Sequence, residues 1–172
     1  GDFIHFKRTQ GYKTKVINFM GSGGGSNENL YDYLHLYKDS HPLLEYVLLI
    51  GDVNGTYAIP SFTVQSYNEA DIDVTDYTYT YDNNPDNIDF FIGRWPIRTQ
   101  DDLKKIKSRS IQYVRMDYIS DPSYLNNTLL VAGNFSDSGT WPVTPVWTSK
   151  WLMDELYDYG VAEVDTAFFH LN

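Results

Sequence analysis

The stretch Glu45–Asp52, Glu-Tyr-Val-Leu-Leu-Ile-Gly-Asp, constrains this chain more than any other. It is an unbroken apolar run of strand formers that stops at a glycine followed by a carboxylate. A strand this apolar on both faces belongs in a parallel sheet between two layers of helices, because only there are both faces covered. Gly51 lets the backbone turn tightly, and Asp52 falls where the carboxyl end of the strand opens into a loop. In open α/β sheets that edge is where sites are built.

The other segments read as neighbours of this strand. Phe3–Tyr12 reads as the end of a helix, with Gly11 as its stop and Lys7 and Arg8 at the negative end of its dipole. Lys13–Met20 is predicted as a strand. Gly21–Ser26 reads as a glycine-rich connector, and Ser26 or Asn27 caps a helix over Asn27–Asp39 with Leu30, Leu34 and Tyr37 on one face. Ala58-Ile59-Pro60 is expected as a short edge strand. Val74–Tyr81 alternates small polar residues with tyrosine, which predicts an exposed β-ribbon. Asp89–Ile92 is a second buried strand, ending in Gly93-Arg94. Thr99 caps a helix that is expected to run to about Tyr118 and to bury Leu103, Ile106, Ser110, Tyr113 and Val114. Asn127–Gly133 is a further strand. Pro145 opens a helix over Val146–Tyr159 that packs Trp147, Trp151, Leu152 and Leu156, and Val161–Phe169 is the last strand. Strands alternating with helices imply right-handed crossovers. The predicted fold class is α/β: a parallel sheet flanked by helices, with an inserted β-ribbon, over residues 1–172 as one domain.

The formal net charge of −10 over 172 residues argues against a nucleic-acid partner, since no basic patch offsets it. The plain reading of the acidity is solubility; cation binding or a basic partner is the alternative. The chain has no cysteine, which excludes a disulfide, a thiolate metal site or a cysteine nucleophile within these residues. No apolar run reaches the length of a membrane span. The glycine loop lacks the Gly-Lys-Ser/Thr of a phosphate cradle, so nucleotide binding stays a minor rival. The start at Gly1-Asp2-Phe3 reads as a cut from something longer.

Four phrases in fixed order resemble the gingipain-type cysteine peptidases, whose fold is caspase-like. They are Phe6–Lys13; Tyr46–Val53 followed by Ile59-Pro60; Thr75-Asp76-Tyr77 leading to Ile92-Gly93-Arg94-Trp95-Pro96-Ile97; and Thr99–Tyr113. The resemblance implies an N-terminal portion of the catalytic domain. Family members carry the catalytic His, in a His-Gly context, and the nucleophilic Cys on later strands. No His here is followed by Gly, and His170 reads as a strand-end or tail residue. A Cys–His mechanism needs a thiolate activated by an imidazole, so the fragment alone is expected to be inactive. Asn134 aligns with the position that supports the missing His, as an amide in place of the family's carboxylate. No acid stands around Thr144-Pro145-Val146, where arginine-specific members place an Asp, so strict arginine specificity is not expected.

The resemblance also singles out Asp52 and Asp76. They are expected to bond loop amides or to pair with Arg94, in structural roles. Asp82, Asn84 and Asp86 put oxygen side chains at alternate positions, like the opening of a calcium loop, although Asn87 and Gly93 then depart from that pattern. Calcium accompanies gingipain-type domains and is the one cofactor considered; none is required. The expected partners are the C-terminal half of the peptidase domain and a protein or peptide substrate of the intact parent. Self-association of the fragment through an apolar patch is also expected, in a secreted or cell-surface setting. The rival is a non-catalytic binding or adhesion module that uses Tyr77, Tyr79 and Tyr81.

Overall fold

Leu49 lies opposite Arg94 in a parallel pair of strands, so the two apolar runs do end as neighbours. The computed structural model describes residues 1–19, 25–65, 72–116, 120–133 and 145–168. The chain divides into two compact units, Gly1–Met116 and Asp117–Asn172. Unit 1 holds α1 (Asp2–Thr9), α2 (Asn27–Ser40), β1 (Tyr46–Ile50), β2 (Phe62–Gln65), β3 (Ile72–Thr75), β4 (Phe91–Trp95) and α3 (Gln100–Arg115). Unit 2 holds β5 (Asn127–Ala132), α4 (Pro145–Tyr159) and β6 (Glu163–Phe168).

Unit 1 is layered about the β1–β4 pair. On one face α2 brings Leu30 and Leu34, one helical turn apart, onto Leu49, Tyr79 and Phe90. Tyr79 is fully enclosed and Phe90 is 2 % exposed; side chains of this kind contribute about 1.5–3 kcal/mol each by leaving water. On the other face Phe3 of α1 meets Trp95 at 4.7 Å between ring centres, and Tyr12 stands edge-on to Tyr46 at 5.8 Å. Lys107 of α3 bonds Asp2 of α1 at 2.8 Å, and the Arg115 guanidinium lies 5.3 Å from the Phe6 ring. That second face is covered incompletely. Tyr46 (53 %), Leu48 (38 %), Ile50 (40 %) and Phe91 (55 %) stay open to solvent, so the burial expected of both faces holds for one.

The helix starts follow the capping residues. Ser26 Oγ accepts the Asn29 amide at 3.2 Å. Thr99 and Asp102 form a reciprocal box, with Asp102 N donating to Thr99 Oγ1 at 3.1 Å and Thr99 N to Asp102 Oδ2 at 2.8 Å. Met116 in the left-handed region (φ 56°) then ends α3 at Arg115, short of Tyr118. Tyr113 and Val114, expected inside, are exposed; the last turn presents Arg115 to α1 instead.

Three other expectations are corrected. Residues 12–18 form no strand pairing among the described residues, and Val16 and Ile17 are exposed; an extended segment becomes a strand only where a neighbour takes its amides and carbonyls. Ala58–Pro60 is irregular because its backbone oxygens serve a side chain, described below. The ribbon over Val74–Tyr81 does not form as expected. β3 pairs antiparallel with β2, a strand missed in the sequence, and stops at Thr75. Tyr77–Thr80 then coils into a 3-10 turn that sends Tyr79 and Thr80 into the core.

In unit 2, β5 and β6 run parallel, from Asn127 opposite Glu163 to Ala132 opposite Phe168, with α4 packed on both. The covered stripe of α4 is Val146, Ser149, Met153 and Leu156, at helical spacing. Trp147 and Trp151 lie off that stripe and are 67 % and 61 % exposed, contrary to the reading that buried them.

Candidate functional site

The carboxyl end of the β1–β4 pair is where the named side chains of unit 1 collect. The ladder continues past the strands: Gly51 N donates to Trp95 O at 3.0 Å and Asp52 N to Ile97 O at 3.2 Å. The loop then returns, with Ile59 N on Asp52 O at 2.8 Å. Gly51 is buried, and a Cβ there would stand 2.0 Å from the Tyr57 carbonyl oxygen. The close return of the loop therefore requires glycine at this position.

Arg94 holds the loop shut. Its Nε and Nη2 grip Asp76 side-on at 2.8 and 2.7 Å, while Nη1 donates to Gly51 O and Ile59 O, both at 2.8 Å. Nη2 also reaches Pro60 O at 3.2 Å. One guanidinium thus ties β4, the end of β1, the returning loop and the end of β3. The Arg94 and Asp76 side chains are 11 % and 20 % exposed, so this is a largely desolvated ion pair with its donors used. Ser61 Oγ stands 2.7 Å from Asp76 Oδ1 and 2.8 Å from Thr75 O. Burial alone would push the Asp76 carboxyl up, but hydrogen bonds from Arg94 and Ser61 and the Arg94 charge outweigh it and hold the carboxyl below its ordinary value. Tyr79 donates to Pro60 O at 2.7 Å, and burial pushes its phenol well above the usual tyrosine range.

Asp52 does not pair with Arg94. Its carboxylate bonds the Nε of Arg98, and its Oδ1 accepts the Val53 amide at 2.8 Å. The Arg98 hydrogen bond and the Val53 amide lower its pKa. The expected loop-amide bond is present, while the cation is a different one because Arg94 already faces the β3 side of the cluster. Arg98 and Ser61 were not singled out from the sequence, and Tyr79 was read there as part of an exposed ribbon, not as a core phenol bonded to Pro60 O. Arg98 carries no signal beyond standing before a helix cap, and bonds to carbonyls leave no trace in residue type.

The remaining site residues lie elsewhere. Asn84 Oδ1 accepts the Asp86 amide at 3.0 Å, and Asp82 Oδ1 accepts the Tyr31 hydroxyl at 3.3 Å. Those are bonds of a turn docked on α2. Among the described residues no three His, Cys, Asp or Glu side chains gather where they could hold a metal ion. Asn134, Thr144 and His170 lie outside the described residues. His35 packs between Tyr31 and Phe90 with Nε2 3.1 Å from Tyr79 O. Ser40 Oγ meets His41 Nδ1 at 2.9 Å, but both also bond the last carbonyls of α2, which marks a helix end. The geometry positions loops and strands; the sequence has no cysteine, and the described histidines, His5, His35 and His41, serve helix and core contacts or face solvent.

The comparisons with known proteins agree with this architecture. The family model for peptidase family C25 matches residues 1–168. Two solved structures share the fold: the complex of the pro- and mature domains of Porphyromonas gingivalis RgpB, and the Arg-specific cysteine proteinase gingipain R (RgpB). Each aligns at a TM-score of 0.75 and 22% identity, over 98% of this chain and 38% of its own. This chain therefore spans little more than a third of the gingipain chains it matches. No curated protein matches it. With the family model covering nearly every residue and the layered α/β fold shared, the chain belongs to peptidase family C25.

Proposed function

We propose that this chain is the N-terminal α/β part of a gingipain-like cysteine endopeptidase domain, and that it supports the catalytic half and forms part of the substrate cleft. The observation that carries the reading is the family match over residues 1–168 in a chain with no cysteine, spanning 38% of the related gingipain chains. In the intact parent a cysteine thiolate attacks the peptide carbonyl, and a histidine serves as base and then acid. Both groups come from sequence outside these residues. The role of this part is rigidity: Arg94 fixes the loop and hairpin beside the strand ends, so that a neighbouring half can dock on a preformed edge. Asn134 is proposed to orient the catalytic histidine through its amide.

The proposed partners are the C-terminal half of the domain and a protein or peptide substrate. Asp82, Asn84 and Asp86 are the proposed calcium ligands, with the ion as a structural clip. A secreted or cell-surface setting accords with the family, and among the described residues no helix is long and apolar enough to cross a membrane. Arginine specificity is not carried over from gingipain R, because the sequence offers no acid around Thr144–Val146. The adhesion-module reading loses one of its three tyrosines, since Tyr79 is a core residue while Tyr77 is exposed.

The test is to express the chain alone and joined to its downstream sequence, with peptide substrates and a thiol-alkylating peptide inhibitor as readouts. The chain alone is expected to be inactive, and the longer protein to cleave peptides and to be blocked by the inhibitor. Cleavage by the chain alone, or a longer protein lacking His-Gly and Cys, overturns the proposal.

A further inference from the structure

We propose that Asn54–Gly55 is a spontaneous modification site of the folded protein, at which the asparagine amide is lost to form aspartate and isoaspartate. It is the one Asn-Gly step in the chain. It sits at the tip of the loop that leaves β1, where Asn54, Gly55, Thr56 and Tyr57 are all exposed. The base of the loop is held, by Arg94 on Gly51 O and Ile59 O and by Ile59 N on Asp52 O. Within the tip, Gly55 O accepts the Ala58 amide, and among the described residues no hydrogen bond ties the Asn54 side chain or the Gly55 N–H. A fixed base with a free tip lets these two residues reach the reactive geometry without opening the fold.

The chemistry needs only water and mild base. The Gly55 amide nitrogen, losing its proton, attacks Cγ of Asn54; a C–N bond forms, and the side-chain nitrogen leaves as ammonia carrying that proton. The product is a five-membered imide. Water then opens the ring at Cγ, giving aspartate, or at the main-chain carbonyl, giving isoaspartate with the chain running through Cβ. Gly55 matters because it has no side chain to obstruct the attack and already holds φ +90°, a region other residues avoid. Other asparagines are placed differently: Asn126 and Asn127 bond Gly160 O and Glu163 through their side-chain amides, and Asn84 is tied into its turn. The product adds a negative charge two positions from the Asp52–Arg98 pair.

The experiment incubates the folded chain in mildly alkaline buffer and follows ammonia release, peptide mass and isoaspartyl-methyltransferase labelling. The free peptide spanning residues 51–59 and the variant Asn54→Gln serve as controls. Conversion is expected first at Asn54, at a rate close to that of the free peptide, and Asn54→Gln is expected to lose the early phase of labelling. Protection of Asn54 by about tenfold or more relative to the peptide, or earlier conversion at another asparagine, overturns the proposal.

Discussion

Replacing Arg94 by Met removes the guanidinium while keeping an apolar stem of similar length. Five hydrogen bonds are lost, two to Asp76 and three to the carbonyls of Gly51, Ile59 and Pro60. Among the described residues, Asp76 then keeps its Ser61 partner alone of the side chains that hold it, in a setting where its own side chain is 20 % exposed. Breaking a buried pair from one side costs about 3–5 kcal/mol, and the residual access of water to Asp76 puts this case near the lower end, about 3 kcal/mol. For a unit the size of residues 1–116, that corresponds to a fall in melting temperature of about 10–15 °C. The pH dependence adds a second check. The Asp76 carboxyl is held below its ordinary value, so its contribution is present above the unfolded value of about 3.9 and disappears as pH falls through the folded value. The gap between wild type and Arg94→Met, read by calorimetry or chemical denaturation, is therefore full at neutral pH and narrows in acid. Adding Asp76→Leu to the variant should recover part of the loss, since the stranded carboxylate goes with it. A fall of less than about 3 °C, or a gap that does not change in acid, refutes the reasoning.

Gly51→Ala should lower the urea midpoint by the equivalent of about 1–3 kcal/mol, because the new methyl meets the Tyr57 carbonyl oxygen at 2.0 Å in a loop that Arg94 prevents from moving; an unchanged midpoint removes the close approach from the account. Sedimentation of the isolated chain should show concentration-dependent association through Tyr46, Leu48, Ile50 and Phe91, weakened by Phe91→Glu; a monomer at every concentration contradicts it. Calorimetry should show calcium binding that Asp82→Asn with Asp86→Asn abolishes; titration without heat ends the calcium proposal.

The strands β1, β4, β5 and β6 and the helix caps were legible because they depend on local rules. Apolar runs ending at Gly51 and Gly93 gave β1 and β4, although β4 begins at Phe91 because Asp89 N is taken by Thr80 O. Thr99 and Asp102 marked the start of α3 two ways at once. The tyrosine run misled because period two is shared by a strand and by chance, and a single buried phenol with a carbonyl acceptor decided for a 3-10 turn. Trp147 and Trp151 misled through size: the spacing of Val146, Ser149, Met153 and Leu156 was the better guide to the covered side. In the site, the resemblance pointed to Asp52 and Asp76 as partners for Arg94, and the structure gives Arg94 to Asp76 alone. Arg98 and the carbonyl acceptors were not legible, since backbone oxygens look alike at every residue.

The side-by-side placement of β1 and β4 fixes an order of events during folding. Gly51 and Arg94 bond across 43 positions, and closing a span of that length costs about 3 kcal/mol of chain entropy before any contact repays it. On the ribosome, Tyr46–Ile50 emerges well ahead of Phe91–Trp95 and waits without its ladder, with α2 as its nearest available cover. Until the arginine arrives, the intervening stretch has no cation to gather its carbonyls. The β1–β4 ladder therefore cannot form before Phe91–Trp95 has been made.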